Sequence, residues 1–177
     1  MFHGAGTTSI SLAFSHFLRN KKRKKTAYVE LNSSDEIRFI KGGTQKKMFY
    51  HMGIALFPNV TPSSLSDILQ MDFEYFILDM GVLNTYTAEQ FSHCYKQFIV
   101  GSLNSWKQQK TLEKIKHFTK NTMIHQDKVI FIRVSAEKES NLSIFSNPFA
   151  KIVNAPYIPN PFQISFDSFG FYENLLR

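Results

Sequence analysis

A chain of 177 residues, 43% hydrophobic and 20% charged, is long enough to bury a sizeable core and too apolar to be disordered. Its formal charge of +7 leaves an anionic partner open, while a single cysteine, Cys94, excludes an intramolecular disulfide and fits a reducing cytoplasm. No apolar run approaches membrane-spanning length and no signal-peptide pattern opens the chain.

The chain begins MFHGAGTTSISLAF. Within it, Gly4-Ala5-Gly6-Thr7-Thr8-Ser9 has the make-up of a phosphate loop. Glycines let the backbone curl until successive N–H groups point at phosphate oxygens, and the following helix adds the positive end of its dipole. Thr8 or Ser9 would offer a hydroxyl to Mg2+. From Thr8 to Asn20 the apolar residues Ile10, Leu12, Ala13, Phe14, Phe17 and Leu18 recur at helical spacing.

The run KKRKK, Lys21–Lys25, carries a large part of the positive excess. A solvated turn is favoured over a nucleic-acid or membrane patch, because no aromatics interleave with the lysines. TAYVELN, Thr26–Asn32, reads as a buried strand, and Phe39–Ile40 as the start of another, with Gly42–Gly43 as a turn. MFYHMGIALFP is a strand or a bent pair around Gly53. Thr61-Pro62-Ser63-Ser64 opens a helix through Leu69, with proline in its first turn.

FEYFILDMG, Phe73–Gly81, is a continuous apolar strand ending on an acid and a glycine. A helix over Tyr86–Cys94, a strand over Gln97–Ser102, a helix over Ser105–Lys120 and a strand over Val129–Val134 follow. KIVNAPYIPNPFQI is extended, and FGFYENLL forms a short terminal helix. The 18 phenylalanines read mainly as core filler.

Strands alternating with helices, apolar on both faces, predict a three-layer α/β sandwich around a mainly parallel twisted sheet. Ligands of such sheets bind beyond the carboxyl ends of the strands, which gathers Gly4–Ser9, Glu30–Ser33 and Asp79–Gly81 as the candidate site. Each has a plainer role too. Asp79 before Met80-Gly81 is a turn cap, and Glu30 with Asn32 forms turns.

GAGTTSISLAFSHFL, AYVELNSS and FEYFILDMG together resemble the ParA/MinD-type (SIMIBI class) P-loop ATPases, and QFIVGSLNSW and APYIPNPF extend the likeness along most of the chain. The resemblance implies a single P-loop NTPase-like domain over 1–177 that binds ATP or ADP with Mg2+. Gly4, Ala5, Gly6, Thr7, Thr8 and Ser9 would hold the nucleotide, Thr8 and Asp79 the metal, and Asp79 and Glu30 would carry the catalytic roles. Where the family loop has lysine, this chain has Thr7; the signature lysine's place falls at Phe2, and the acidic pair after the second strand becomes Glu30 and Asn32. Without that lysine the phosphates lose their main compensating cation, so weak binding and weak or absent hydrolysis are expected.

Loops of this kind are similar to those of the TadZ/CpaE-like branch. That implies a pseudo-ATPase acting in localisation or assembly of a pilus or secretion machine, homodimeric and cytoplasmic. Peripheral contact with the inner face of the membrane stays open, and nucleic acid is disfavoured.

A dinucleotide reading competes. Gly4-Ala5-Gly6-x-x-Ser9 nearly fits Gly-x-Gly-x-x-Gly, and Glu30 stands where an acid binds a ribose hydroxyl of NAD or FAD. It gives Asp79 no role, and Ser9 replaces the third glycine. Both readings require a strand before Gly4 for which three residues are too few, so the expectation is an N-terminally truncated chain with two open sheet edges.

Overall fold

The computed structural model describes residues 6–82, 84–102, 108–120, 122, 124, 128–134 and 151–177. The chain divides into two compact units, one of residues 7–81 and 157–177, the other of residues 1–6 and 82–156.

The first unit is built on α1 (Thr7–His16), β1 (Thr26–Glu30), β2 (Phe49–His51), β3 (Ile54–Phe57), α2 (Pro62–Leu69) and β4 (Tyr75–Asp79). Its sheet runs β2-β3-β1-β4, with β3, β1 and β4 parallel and β2 antiparallel to β3. The bent pair around Gly53 is a hairpin. Met52 and Gly53 both take positive φ, 50° and 77°, which gives the tight turn a twist that suits its strands.

Period-two alternation sorts the residues of β1 and β4 between two cores. Ala27, Val29 and Leu31 pack with Ala55, Phe57, Leu65 and Ile68, with Phe76 and Leu78 against them. Tyr28 packs on the opposite face with Leu12 of α1, Ile37, Ile54 and Leu56, with Ile77 against it. Each fully buried aliphatic side chain contributes about 2 kcal/mol, so this division fixes the register of both strands.

At the N-terminus of α2, Pro62 fills the first helical position and Ser64 Oγ accepts the Thr61 amide at 3.3 Å. Helix α1 passes into a π-helical turn over Phe17–Lys21 instead of continuing to Asn20. That widened turn places Arg19 Nε 3.0 Å from Gly53 O, tying the helix to the hairpin.

One expected strand is absent. Glu36–Lys41, which includes Phe39–Ile40, is a 3-10 helix. Its first amides are drawn to the Glu30 carboxylate, and Gly42 closes it in the left-handed region at φ 63°, outweighing the local β-preference. At the chain's end, α5 (Phe169–Leu176) lays Tyr172 and Phe169 against Phe17, ring centroids 5.3 and 5.8 Å apart. The basic turn is threaded with ion pairs: Lys22 to Glu173, Lys24 to Glu74 and Lys25 to Asp72.

The second unit holds α3 (Ala88–Ser92), β5 (Gln97–Gly101), α4 (Gln108–Lys120), β6 (Val129–Arg133) and β7 (Lys151–Asn154). Its sheet runs β5-β6-β7, all parallel. Helix α4 begins at Gln108; the expected start at Ser105, with Trp106, lies outside the described residues.

Strand β4 ends the order of one sheet and β5 that of the other. Tyr75 to Leu78 are half-buried where β1 is buried throughout. Gly4 and Ala5 lie outside the described residues.

Candidate site at the carboxyl end of the parallel strands

Strands β1 and β4 pair in register, Tyr28 opposite Ile77 and Glu30 opposite Asp79. Tyr28, Glu30, Ile77 and Asp79 therefore share the face that α1 covers. Asp79 lies diagonally across from Tyr28, within reach of an aromatic side chain. The N-terminus of α1 comes to the same place. Gly6, at φ +82°, turns the backbone into Thr7, and the first turn of the helix carries no acid.

The Thr8 hydroxyl donates to Asp79 Oδ2 at 2.7 Å, and the Tyr28 hydroxyl donates to the same oxygen at 2.7 Å. Asp79 Oδ1 accepts the Gly81 amide at 2.9 Å, which closes a turn that Gly81 permits at φ +61°. Behind it, the Asp79 carbonyl accepts the Leu31 amide and Asn32 Nδ2, at 2.8 and 3.0 Å. A Cβ on Gly81 would stand 3.0 Å from that of Asn32. Asp79 thus caps its turn with one oxygen and accepts from α1 with the other. Its side chain is fully buried.

Tyr28 is also fully buried, and burial, with the Asp79 carboxylate next in effect, pushes its phenol well above the ordinary range. It remains a donor. Thr8 donates to Asp79 and is in hydrogen-bonding contact with the Tyr28 hydroxyl as well, in a half-buried position at the mouth of α1. A hydroxyl oxygen backed by a carboxylate is hard-donor chemistry that suits Mg2+. Among the described residues no group of three or more His, Cys, Asp or Glu side chains is placed to hold a metal.

Glu30 sits opposite Asp79 with its carboxylate turned to its own loops. Oε1 accepts Ser34 Oγ at 3.0 Å and the Glu36 amide at 2.9 Å, with Ile37 N at 3.5 Å; Oε2 accepts the Asn59 amide at 3.1 Å. Burial raises its carboxyl above the ordinary value, against the pull of those donors. The geometry makes it the organiser of the loops after β1 and β3. A ribose hydroxyl or a water would have to compete with all of these donors.

Thr7 and Ser9, like Thr8, are half-buried in the first turn of α1. The sequence pointed to Thr8 and Asp79 but not to Tyr28. The missing signal lay in register: Tyr28 is two residues before Glu30 on the same face, and that face mattered once Glu30 and Asp79 were paired.

A parallel sheet with the first turn of a helix bonded to the acid at the end of a neighbouring strand defines a P-loop NTPase-like α/β fold. Solved structures bear out that class. The chain is similar to a plasmid partition protein from Borrelia burgdorferi B31 bound to AMPPNP, with a TM-score of 0.68 and 13% identity over 99% of this chain and 92% of that one. Two further structures of a plasmid partition protein from Borrelia burgdorferi, one from an iodide soak, match with TM-scores of 0.66 and 0.64 at 12% and 13% identity, with the same coverage. No protein-family model and no curated protein sequence matches the chain.

Proposed function

We propose that this chain is a ParA-type nucleotide-binding protein that takes ATP or ADP with Mg2+ and hydrolyses ATP slowly or not at all. The observation that carries the reading is the 2.7 Å bond from Thr8 Oγ1 to Asp79 Oδ2 at the N-terminus of α1. Thr8 would ligate Mg2+ through its hydroxyl oxygen, and Asp79 would act from behind it. The remaining ligands would be water and phosphate oxygens, the usual arrangement for this ion. The helix N-terminus would face the phosphates. Thr7, where the related loops have lysine, supplies no charge, so turnover should be slow.

The role is one of positioning. The likeness to partition proteins favours a plasmid or other DNA cargo, and the loop's resemblance to TadZ/CpaE-like proteins favours a pilus or secretion machine; a nucleotide-dependent homodimer would serve either. The NAD or FAD reading loses ground because the Glu30 carboxylate is already engaged.

The test is thermal unfolding against ATP, ADP, NAD and FAD, each with and without Mg2+. Ligand at 100 times its dissociation constant stabilises a fold by about 2.7 kcal/mol. ATP or ADP should raise Tm further when Mg2+ is present, and Asp79→Asn should abolish that metal-dependent part. A rise with NAD or FAD alone would overturn the reading.

A further inference from the structure

We infer that Tyr28 is the residue that sets the direction of the Thr8 hydroxyl, and through it the metal dependence of nucleotide binding; the inference rests on the reading just given. Asp79 Oδ2 receives two donors at equal distance, Thr8 and Tyr28, both at 2.7 Å. Its other oxygen is held by the Gly81 amide. The carboxylate is therefore fixed from two sides, and Tyr28 occupies one of the two lone-pair directions of Oδ2. The Thr8 proton goes to the other, beside the Tyr28 hydroxyl that is also in hydrogen-bonding contact with Thr8. The Thr8 oxygen is thereby held in one orientation against the buried acid.

Replacing the phenol with a phenyl ring removes that constraint while keeping the packing. Tyr28 is fully buried in the core shared by Leu12, Ile37, Ile54 and Leu56, and a phenylalanine ring fills nearly the same volume. Asp79 Oδ2 regains a free lone pair, so its carboxylate can rotate and the Thr8 hydroxyl can turn over. Both motions cost a Mg2+ ion its prepared ligand. They cost the phosphates little, because the backbone amides that would hold them do not depend on Asp79. Tyr28 is thus a positioning residue that acts through Asp79 on Thr8.

The full chain is assayed with AMPPNP, first in EDTA and then across a MgCl2 titration, following thermal shift and direct binding. Loss of an outer hydrogen-bonding partner typically weakens a metal by about 10–100-fold. Tyr28→Phe should raise the Mg2+ concentration for half-maximal effect by at least about tenfold on that scale. Metal-free AMPPNP affinity should stay at the wild-type value. An unchanged Mg2+ requirement overturns the inference, and so does an equal loss with and without metal, which would mark Tyr28 as purely structural.

A readout on the unsubstituted chain keeps the test open should Tyr28→Phe not fold. The NMR resonance of the Tyr28 hydroxyl proton, buried and bonded to Asp79, should shift when Mg2+ joins AMPPNP. A resonance that stays put overturns the inference. A wild type with no Mg2+-dependent AMPPNP binding brings down the proposed function and this inference with it, whereas a wild-type response retained in Tyr28→Phe brings down this inference alone.

Discussion

Replacing Glu30 by alanine removes the acceptor shared by Ser34 Oγ and the amides of Glu36, Ile37 and Asn59. The bonds of 2.9 Å from Glu36 and 3.1 Å from Asn59 carry most of the effect, since the 3.5 Å contact from Ile37 is marginal. Leaving a buried donor unpaired costs about 1–3 kcal/mol; Glu36 and Asn59 are exposed, so water recovers part of it and the low end applies to each. Adding the lost Ser34 bond gives a destabilisation of about 2–4 kcal/mol for Glu30→Ala. Glu30→Gln keeps one acceptor oxygen and should cost about half as much.

Urea unfolding followed by circular dichroism reads both values. The pH dependence has a definite sign. Burial holds the Glu30 carboxyl above its ordinary value, so the folded chain binds that proton more tightly than the unfolded chain. Its stability contribution is complete below the unfolded value and is lost as pH rises through the raised one. The gap between wild type and Glu30→Gln should therefore narrow as pH rises across that window. A Glu30→Ala chain within about 0.5 kcal/mol of wild type, the range of ordinary surface changes, would refute the loop-organising role.

Two other perturbations probe how α1 is held. His16 is lowered by burial and then by the charge of His51, and its Nδ1 is buried without a partner among the described residues. His51 is lowered by burial and then by Lys41. Folded histidines that resist protonation give stability that is complete above the ordinary histidine value and is lost as pH falls through the lowered ones. The urea midpoint should fall from pH 7.5 to about 5, and His16→Gln should flatten part of that slope; a parallel curve would count against it. At the hairpin, Gly53→Ala places a methyl 2.9 Å from Arg19 Nε at a φ of +77°. It should cost about 1–2 kcal/mol, and a neutral result would show the turn to be freer than its geometry implies.

Where the sequence was legible, local signals and packing agreed. Thr61-Pro62 starts α2, Gly53 turns the hairpin, and the apolar runs at Thr26–Glu30 and Tyr75–Asp79 are strands. Phe39–Ile40 failed because its conformation is decided upstream in the sequence, at the Glu30 carboxylate, which takes the Glu36 amide six positions on. Helix α1 stops short because Arg19 and Asn20 bond to the backbone of Gly53 and Met52, contacts no periodicity can show. The site divides in the same way. Thr8 and Asp79 were legible because a glycine-rich loop and an acid-ended strand are local patterns. Tyr28 was not, because its role comes from the alignment of two strands separated by 44 residues, Leu31 to Glu74, and from a bond across a separation of 51 positions.

The ion pairs around Lys21–Lys25 bear on how the molecule looks from a distance. Five cations stand in that run and three face an acid, Glu173, Glu74 or Asp72, so the turn projects a field nearer two charges than five. At physiological ionic strength the Debye length is about 8 Å, and a charge set against its counter-charge at contact distance contributes almost nothing beyond it. A polyanion approaching this corner would release few condensed counterions, and its attachment there would depend only shallowly on salt. The most basic stretch of the sequence is thus largely spent inside the fold, joining the turn to α5 and to the approach to β4.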